Sequence, residues 1–206
     1  MTTAARSLVP LENGASFSST QEFMEAYERT EASMKAELVE GIVYIRERPD
    51  AIHGEASAAL AGWLGQHVVD RPHLRPSLNA TVLLDERNVV QPDLHMRVLS
   101  SSRNRRAGPY LEGPPELVGE VAFSSASIDL HQKLETYRTH GVLEYIVWRV
   151  YDDAIDWFWL NEGAYERLQP DRRGVVESRV FPGLRLAIPA MLKGDLKAVL
   201  AELQRG

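Results

Sequence analysis

The sequence predicts one α/β or α+β domain built around a buried β-sheet. A chain of 206 residues is long enough for a single domain with a substantial core, and contents of 44% hydrophobic and 25% charged residues are typical of globular proteins. Two apolar runs lie at 116–123 and 142–150. An amphipathic helix is predicted between them over 127–140, closed by Gly141. This strand–helix–strand order is typical of a crossover unit, in which both strands belong to one sheet.

Before this unit, helical and strand patterns alternate along the chain. Residues 1–16 are small, polar and without periodicity, so we expect a flexible leader followed by a single domain over 17–206. Thr20 is the predicted N-cap of the first helix, because acidic residues follow it in the next turn. In chain order the patterns predict a helix over 20–30, a strand or bent hairpin over 36–45, a helix over 51–69, a β-hairpin over 81–98 and a loop over 100–115.

Beyond the crossover unit, the sequence predicts one more hairpin and a closing helix. Apolar and aromatic residues over 156–160 and 164–168 flank a turn at 161–163, which is typical of a hairpin. Apolar residues then recur at helical spacing over 189–203 and predict a final amphipathic helix.

Charge and composition exclude several classes of protein. The net charge is −6, so attraction to a polyanion is not a property of the whole chain and would need a local basic patch or a bound cation. The absence of cysteine excludes disulfides, thiolate zinc sites and cysteine nucleophiles. No apolar run approaches the roughly 20 residues that span a bilayer, and no secretory signal is visible. We therefore expect a soluble, cytoplasmic protein without a membrane partner.

Acidic residues in three apolar segments are the candidates for chemistry. Asp93 follows Pro92 in a predicted strand, and His95 projects from the same face two residues later. Glu120 lies within an apolar run, where an unpaired charge would cost on the order of several kcal/mol. Glu37 adjoins hydrophobic residues near the start of an earlier strand.

The helix predicted after Glu120 carries a second polar group on one face. Asp129, Lys133 and Tyr137 follow one another at intervals of four residues. Two or three acids on a sheet with a lysine nearby could hold a hard divalent cation, since Mg²⁺ and Mn²⁺ prefer oxygen ligands. A structural ion pair between Glu120 and Lys133 explains the same residues, and the pattern alone favours that simpler interpretation.

Five stretches of the chain, taken together in their order and spacing, resemble the Uma2 family, also called DUF820, of the PD-(D/E)XK nuclease-like superfamily. They are Ala36–Val43, Gln91–Leu94, Pro114–Val121, Ser124–Lys133 and Tyr137–Val147, with a family-like tail at Val180–Leu184. The resemblance covers residues 18–203. It implies a restriction-endonuclease-like core, with a mixed central β-sheet flanked by helices and extra hairpins.

The resemblance also implies a catalytic site. Asp93 would be the aspartate of the PD element, and Glu120 the acid of the (D/E)XK element. The superfamily lysine lies two residues after that acid, where this chain has Ala122, and the family resemblance supports Lys133 as its replacement. Glu37 resembles the early glutamate of the family and would be a third carboxylate. The three acids would bind one or two Mg²⁺ or Mn²⁺ ions, and Lys133 would help to activate water.

Further residues are weaker candidates. The accessory set for the site comprises His53, Gln91, His95, Asp129 and Tyr137, and the set for phosphate contacts comprises Arg103, Arg105 and Arg106. A hydrogen-bonded strand histidine is the favoured interpretation of His95, and solvated loop charges are the commoner explanation of the arginines. Two departures from the family pattern, Gly119 and Ser124–Ser125, are interpreted as loop variation.

Two functions remain open at this point. The first is a Mg²⁺-dependent endonuclease that hydrolyses phosphodiester bonds, with DNA as its substrate and a homodimer as its working form. The alternative is a catalytically silent protein of the nuclease fold that binds or regulates. The acids and the lysine favour the first, whereas the acidic net charge favours the second.

Overall fold

The structure is a computed structural model that describes residues 10–31, 33–46, 49–101, 103–123 and 131–205. Within these residues the helices are α1 (Thr20–Tyr27), α2 (Ala51–His67), α3 (Gln132–Thr139), α4 (Ile188–Leu192) and α5 (Leu196–Leu203). The strands are β1 (Ala36–Val39), β2 (Ile42–Ile45), β3 (Leu74–Leu78), β4 (Val82–Leu83), β5 (Val89–Val90), β6 (Leu94–Val98), β7 (Arg105–Ala107), β8 (Tyr110–Glu112), β9 (Leu117–Ala122), β10 (Glu144–Arg149), β11 (Ala154–Asn161), β12 (Ala164–Arg167), β13 (Val175–Glu177) and β14 (Arg185–Ala187).

Most of the described strands belong to two mixed sheets of six strands each. The first sheet has the order β2-β1-β5-β4-β8-β7 and the second the order β12-β11-β10-β9-β6-β3, while β13 and β14 form a separate hairpin. Strand β9 runs parallel to β10, and α3 lies between them in the chain. The predicted crossover unit and the mixed α/β class are therefore confirmed.

Three hydrophobic cores separate the layers. The helices α2, α4 and α5 cover one face of the second sheet, where Trp63, Met191 and Ile146 belong to one buried core. Residues of both sheets meet in a second core, to which α3 contributes Tyr137. The helix α1 covers the outer face of the first sheet through Phe23. Every helix in the described part of the chain is too short or too polar to cross a lipid bilayer.

The hairpin predicted over 81–98 is wrong, because its second half belongs to two different sheets. Strands β4 and β5 form a short antiparallel pair in the first sheet, whereas β6 pairs with β3 and β9 in the second. Pro92 lies between β5 and β6. Proline has no N–H to donate to a strand ladder, so the first pairing ends there and the chain crosses to the other sheet.

Three other local predictions also differ from the structure. The loop predicted over 100–115 contains the hairpin β7-β8, whose turn includes Gly108 at φ +59°. The helix predicted over 189–203 divides into α4 and α5, since Gly194 adopts φ +71° between them. The N-cap of α1 is Ser19 rather than Thr20, because the Thr20 hydroxyl donates to the Asp85 carbonyl instead.

Two further segments lie partly outside the described residues. In the predicted leader, residues 10–16 are described, and there Gly14 N donates to Val43 O while Ser16 forms a bridge with Ile42. This end of the segment therefore extends the edge of the first sheet next to β2. The helix predicted over 127–140 corresponds to α3, and its first residues, 127–130, are outside the described part.

Gly119 lies in the middle of β9, so its interpretation as loop variation is wrong. It is the register partner of Leu94 on β6. A Cβ at Gly119 would lie 2.9 Å from both Cδ2 and Cγ of the fully buried Leu94 side chain. The missing side chain allows Leu94 to pack across β9, one residue away from both Asp93 and Glu120. Ser124–Ser125 are outside the described residues.

We predict that Gly119→Ala destabilises the protein by about 1–3 kcal/mol, the usual cost of overpacking a core. Chemical denaturation measures this change directly. Gly62→Ala is the matched control, because Gly62 is exposed on α2 and an added Cβ meets nothing within 4 Å. The control should be more stable than the wild type by about 0.5–1 kcal/mol, because alanine has the higher helix propensity. Equal effects of the two substitutions would contradict this account of Gly119.

Candidate functional site

Asp93 and Glu120 face each other across two neighbouring strands. Strands β6 and β9 are antiparallel with Leu94 opposite Gly119, so the next pair along the ladder is Asp93 and Glu120. Both side chains project from the same face of the second sheet, toward the first sheet. The backbone reinforces the pairing, because Asp93 N donates to Glu120 Oε2 at 3.3 Å and Val121 N donates to Asp93 Oδ2 at 2.8 Å.

A buried lysine connects this pair to the first sheet. Lys133 Nζ on α3 lies 2.7 Å from Glu120 Oε1 and 2.7 Å from Glu37 Oε2. Glu37 points toward the second sheet, since its neighbours Ala36 and Leu38 pack on the opposite side of β1. Tyr137, one helical turn after Lys133, donates its hydroxyl to Glu120 Oε1 at 3.0 Å. Ala122, where the resemblance would place the superfamily lysine, is buried in the same core as Tyr137.

Two more cationic or titratable groups contact the outer side of the acids. Arg46 Nη2 lies 3.2 Å from Asp93 Oδ2, and Arg46 Nη1 lies 3.3 Å from Glu120 Oε2. His53 Nε2 lies 3.2 Å from Asp93 Oδ2. His53 is placed by the start of α2, whose N-cap Asp50 accepts a hydrogen bond from His53 N. The site therefore combines three carboxylates with a lysine, an arginine and a histidine.

The electrostatics of the acids reflect competition between burial and these cations. Burial alone would raise the pKa of Glu37, but the charges of Lys133 and Arg46 outweigh it and lower the pKa below its ordinary value. For Asp93, burial again acts upward, and the bonds from His53, Arg46 and Val121 N bring the pKa well below its ordinary value. Both carboxylates are therefore ionised at neutral pH.

The pKa of Tyr137 shifts upward, in contrast to the pKa values of the two acids. Its ring is fully buried, and the negative charges of Glu120 and Glu37 add to the effect of burial, so the pKa of Tyr137 is raised well above its ordinary value. The hydroxyl keeps its proton and acts as a donor to Glu120.

Other predicted site residues lie elsewhere or make different contacts. Gln91 supplies its backbone N–H to Glu37 Oε1 at 2.6 Å, while its side chain donates to Tyr27 and Thr81. His95 is fully buried, and neither ring nitrogen has a hydrogen-bond partner among the described residues, so the favoured hydrogen-bonded interpretation does not describe it. Asp129 lies outside the described part of the chain.

The arginine-rich segment is separated from the acids. Strand β7 lies four strand positions from β1 in the first sheet, which corresponds to about 19 Å at the usual spacing. Arg105 pairs with Glu112, Arg106 donates to Gly108 O and Arg103 donates to Gly141 O at the far end of α3. The structure therefore does not bring these arginines to the carboxylates.

Sequence reasoning missed Lys35 and Arg46, which lie at the open end of the β1-β2 hairpin. Arg46 N donates to Lys35 O at 2.9 Å, so the two residues continue the β1-β2 ladder. Lys35 is partly buried, which lowers its pKa, and the charges of Asp93, Glu120 and Glu37 act on it. The signal was present in the sequence, because a basic residue stands at each end of the apolar hairpin that carries Glu37.

The donor set fits a hard divalent ion at Asp93 and Glu120. Both carboxylates already share one cation, the Arg46 guanidinium, in a region that holds oxygen donors and no sulfur. Mg²⁺ commonly binds through only one or two carboxylates and keeps several waters. In the described residues, no group of three His, Asp or Glu side chains is arranged to hold a metal, since Glu37 is turned toward Lys133.

Burial of an acid is not by itself a sign of the site, as Glu144 shows. Glu144 begins β10 and accepts hydrogen bonds from the Ser178 hydroxyl and from the N–H groups of Arg179 and Val180. These donors are neutral, so burial dominates and raises the pKa of Glu144 to about 7. Glu144 ties the C-terminal hairpin to the second sheet, and its neutral partners distinguish it from the acids that contact cations.

Comparison with solved structures identifies the class of fold. The chain is similar to a crystal structure described as a putative nuclease belonging to DUF820, from Anabaena variabilis ATCC 29413. The two share 14% sequence identity with a TM-score of 0.69, over 85% of this chain and 98% of that one. This likeness establishes the fold.

A family model establishes the family. The Uma2 model, described as "Putative restriction endonuclease", matches residues 20–189, which is most of the chain. This protein therefore belongs to the Uma2 family, as the sequence motifs indicated. No curated protein matches the chain.

We predict that Glu144 makes stability depend on pH. Its folded pKa of about 7 lies above the ordinary value of 4.5, so the folded state holds the proton more tightly and the wild type loses stability as the pH rises between these values. At about 1.4 kcal/mol per pKa unit, the full loss approaches about 3 kcal/mol. Glu144→Gln preserves the acceptor for the two backbone N–H groups and removes the charge.

Denaturant unfolding of the wild type and Glu144→Gln from pH 5 to pH 8 measures the difference. The free energy of unfolding of the variant, relative to that of the wild type, should increase as the pH rises. Glu177→Gln, at an exposed carboxylate on β13, is the control and should show a constant difference. A pH-independent difference for Glu144→Gln would show that this carboxyl does not titrate in the expected range.

Proposed function

We propose that this protein is a Mg²⁺-dependent endonuclease that hydrolyses phosphodiester bonds in DNA. One observation carries the proposal: two buried carboxylates, Asp93 and Glu120, face each other with the Lys133 ammonium 2.7 Å from one of them. The nuclease descriptions of the Uma2 family and of the Anabaena protein support the same chemistry. A homodimer would supply two such sites, one for each strand of a duplex.

Asp93 and Glu120 would hold the ion. When bound, Mg²⁺ supplies positive charge to the phosphate and lowers the pKa of a coordinated water. Glu37 was predicted as a third ligand, but its contacts with Lys133 and with Gln91 N assign it a different task. We infer that Glu37 holds the lysine in place.

Lys133 supplies the ammonium group of the site. Its ammonium is fixed by two carboxylates at 2.7 Å, so its position costs little reorganisation during a reaction. An ammonium there can orient a water toward the scissile phosphorus and offset the charge that develops on the phosphate oxygens.

Two neutral or titratable groups orient the carboxylates. The Tyr137 hydroxyl donates to Glu120 Oε1, the same oxygen that accepts from Lys133, which leaves Glu120 Oε2 on the side of Asp93. His53 contacts Asp93 Oδ2 and holds that carboxylate against β9. These contacts arrange the oxygens before any ligand arrives, which is the usual requirement for efficient catalysis.

The alternative, a nuclease-fold protein that binds without turnover, is favoured by one specific observation. The Arg46 guanidinium already bridges Asp93 and Glu120, so the carboxylates have a cation without any metal. A protein that had lost catalysis could retain such an ion pair for stability. Binding of metal and cleavage of DNA are therefore tested separately.

We predict that the wild type binds Mn²⁺ and that Asp93→Ala weakens binding by about 100-fold or more. Loss of an outer-shell partner alone typically costs 10–100-fold, and Asp93 would be a direct ligand. Isothermal titration calorimetry measures both affinities. Glu144→Gln, on the opposite face of the second sheet from Glu120, should bind as the wild type does. Equal binding by the wild type and Asp93→Ala would refute the assignment.

We also predict that the protein nicks supercoiled plasmid in Mn²⁺ and that Glu120→Ala and Lys133→Met each lower the rate by about 10²–10³-fold, the usual effect of removing transition-state stabilisation. Lys133→Met keeps the length of the side chain, and circular dichroism checks that it folds. Activity that survives both substitutions would indicate a contaminating nuclease. Metal binding without any nicking by the wild type would favour the silent alternative.

A further inference from the structure

We propose that Arg46 is a built-in competitor for the metal: its guanidinium holds Asp93 and Glu120 together in the metal-free protein, and a divalent ion binds only by displacing it. This inference rests on the proposed function, because it concerns the same two carboxylates. It goes beyond that function by assigning to the chain an internal control over metal binding.

The contacts of the guanidinium carry the proposal. Nη2 lies 3.2 Å from Asp93 Oδ2 and Nη1 lies 3.3 Å from Glu120 Oε2, so the planar group spans both acids with one nitrogen each. Nη1 also donates to Gln91 O at 3.2 Å. An ion that binds both acids through these oxygens needs the region that the guanidinium fills, so the two cations exclude each other.

The charge balance of the site explains why a cation is needed there. The three carboxylates have Lys133 and Arg46 as cationic partners. Removing the guanidinium would take a cation away from two acids whose side chains are almost completely buried. Unpaired buried charges are strongly destabilising, so Arg46 supports the metal-free state and a divalent ion can take over its role.

The exposure of the side chains shows from which side a ligand arrives. The side chains of Glu120 and Lys133 are 0% and 1% exposed, whereas that of Arg46 is 18% exposed. Arg46 therefore covers the solvent side of the acids. Among the described side chains that pair with these acids, Arg46 is the most exposed, so an ion or a phosphate that arrives from its side meets the guanidinium first.

The backbone of Arg46 limits how far the guanidinium can go. Arg46 N is hydrogen-bonded to Lys35 O, which extends the β1-β2 ladder to this residue. Displacement therefore requires only rotation of the side chain, and the released group stays beside the site. A guanidinium binds phosphate through paired hydrogen bonds, so a DNA phosphate can draw it away from the acids. Metal and DNA would then favour each other's binding, since coupling between two ligands is reciprocal.

Titration calorimetry with Mn²⁺ on the wild type, Arg46→Ala and Arg46→Lys tests the competition. Arg46→Ala should bind Mn²⁺ at least about tenfold more tightly than the wild type, because no guanidinium has to leave. Arg46→Lys should fall between them, since a single ammonium cannot span both acids as the planar group does. Arg87→Ala removes the same charge at the opposite end of the hairpin, where Arg87 contacts Glu40 O, and should leave the affinity unchanged.

Thermal unfolding gives a readout that needs no catalysis. In EDTA, Arg46→Ala should have a lower melting temperature than the wild type. In the Asp93→Asn background, Arg46→Ala should lower the melting temperature much less. Saturating Mn²⁺ should raise the melting temperature of Arg46→Ala more than that of the wild type, because a ligand that binds the folded state stabilises it by mass action.

The possible failures are distinguishable. If the wild type and Arg46→Ala bind Mn²⁺ equally while Asp93→Ala does not bind, the competition is refuted and the metal site stands. If Arg46→Ala binds Mn²⁺ more weakly than the wild type, Arg46 assists metal binding instead of competing with it, and the proposal is refuted. If neither protein binds Mn²⁺, the metal site and the competition both fall, whatever the stability of Arg46→Ala in EDTA.

Discussion

The contact on which this structure depends is the buried lysine ammonium between two carboxylates from different sheets. Lys133 joins Glu37 of the first sheet to Glu120 of the second, and all three side chains are almost fully removed from water. Charges in such a place persist only when each has a partner at close range. The contact therefore ties the two sheets to each other and to α3.

Glu120 divides the site into an inner and an outer half. Its Oε1 accepts from Lys133 and Tyr137 inside the protein, and its Oε2 faces Asp93 N and Arg46 toward the outside. The inner half is built from groups that cannot leave without unfolding the helix. The outer half is closed by one side chain at the end of a hairpin, which is why exchange of cations belongs there.

The sequence indicated the residues of the candidate site better than it indicated the contacts between them. The alternation of a strand was enough to place Asp93 and His95 on one face, yet only Asp93 has partners in the site. Helical spacing placed Lys133 and Tyr137 together, and both contact Glu120. Arg46 was missed because an arginine at a hairpin end is usually solvated, and its two partners come from positions 47 and 74 residues further along the chain.

The sequence by itself determined the local features of this protein: the crossover unit, the extended segment that carries Glu37, the helix face of Lys133 and the motifs of the Uma2 family. These depend on side-chain periodicity and on neighbours in the chain, which a single sequence contains. Only the tertiary structure decided that Pro92 sends one apparent hairpin into two sheets, and which cation meets which acid. Such choices depend on strand register and on the free energy of burying charges together, and both arise only when distant segments pack.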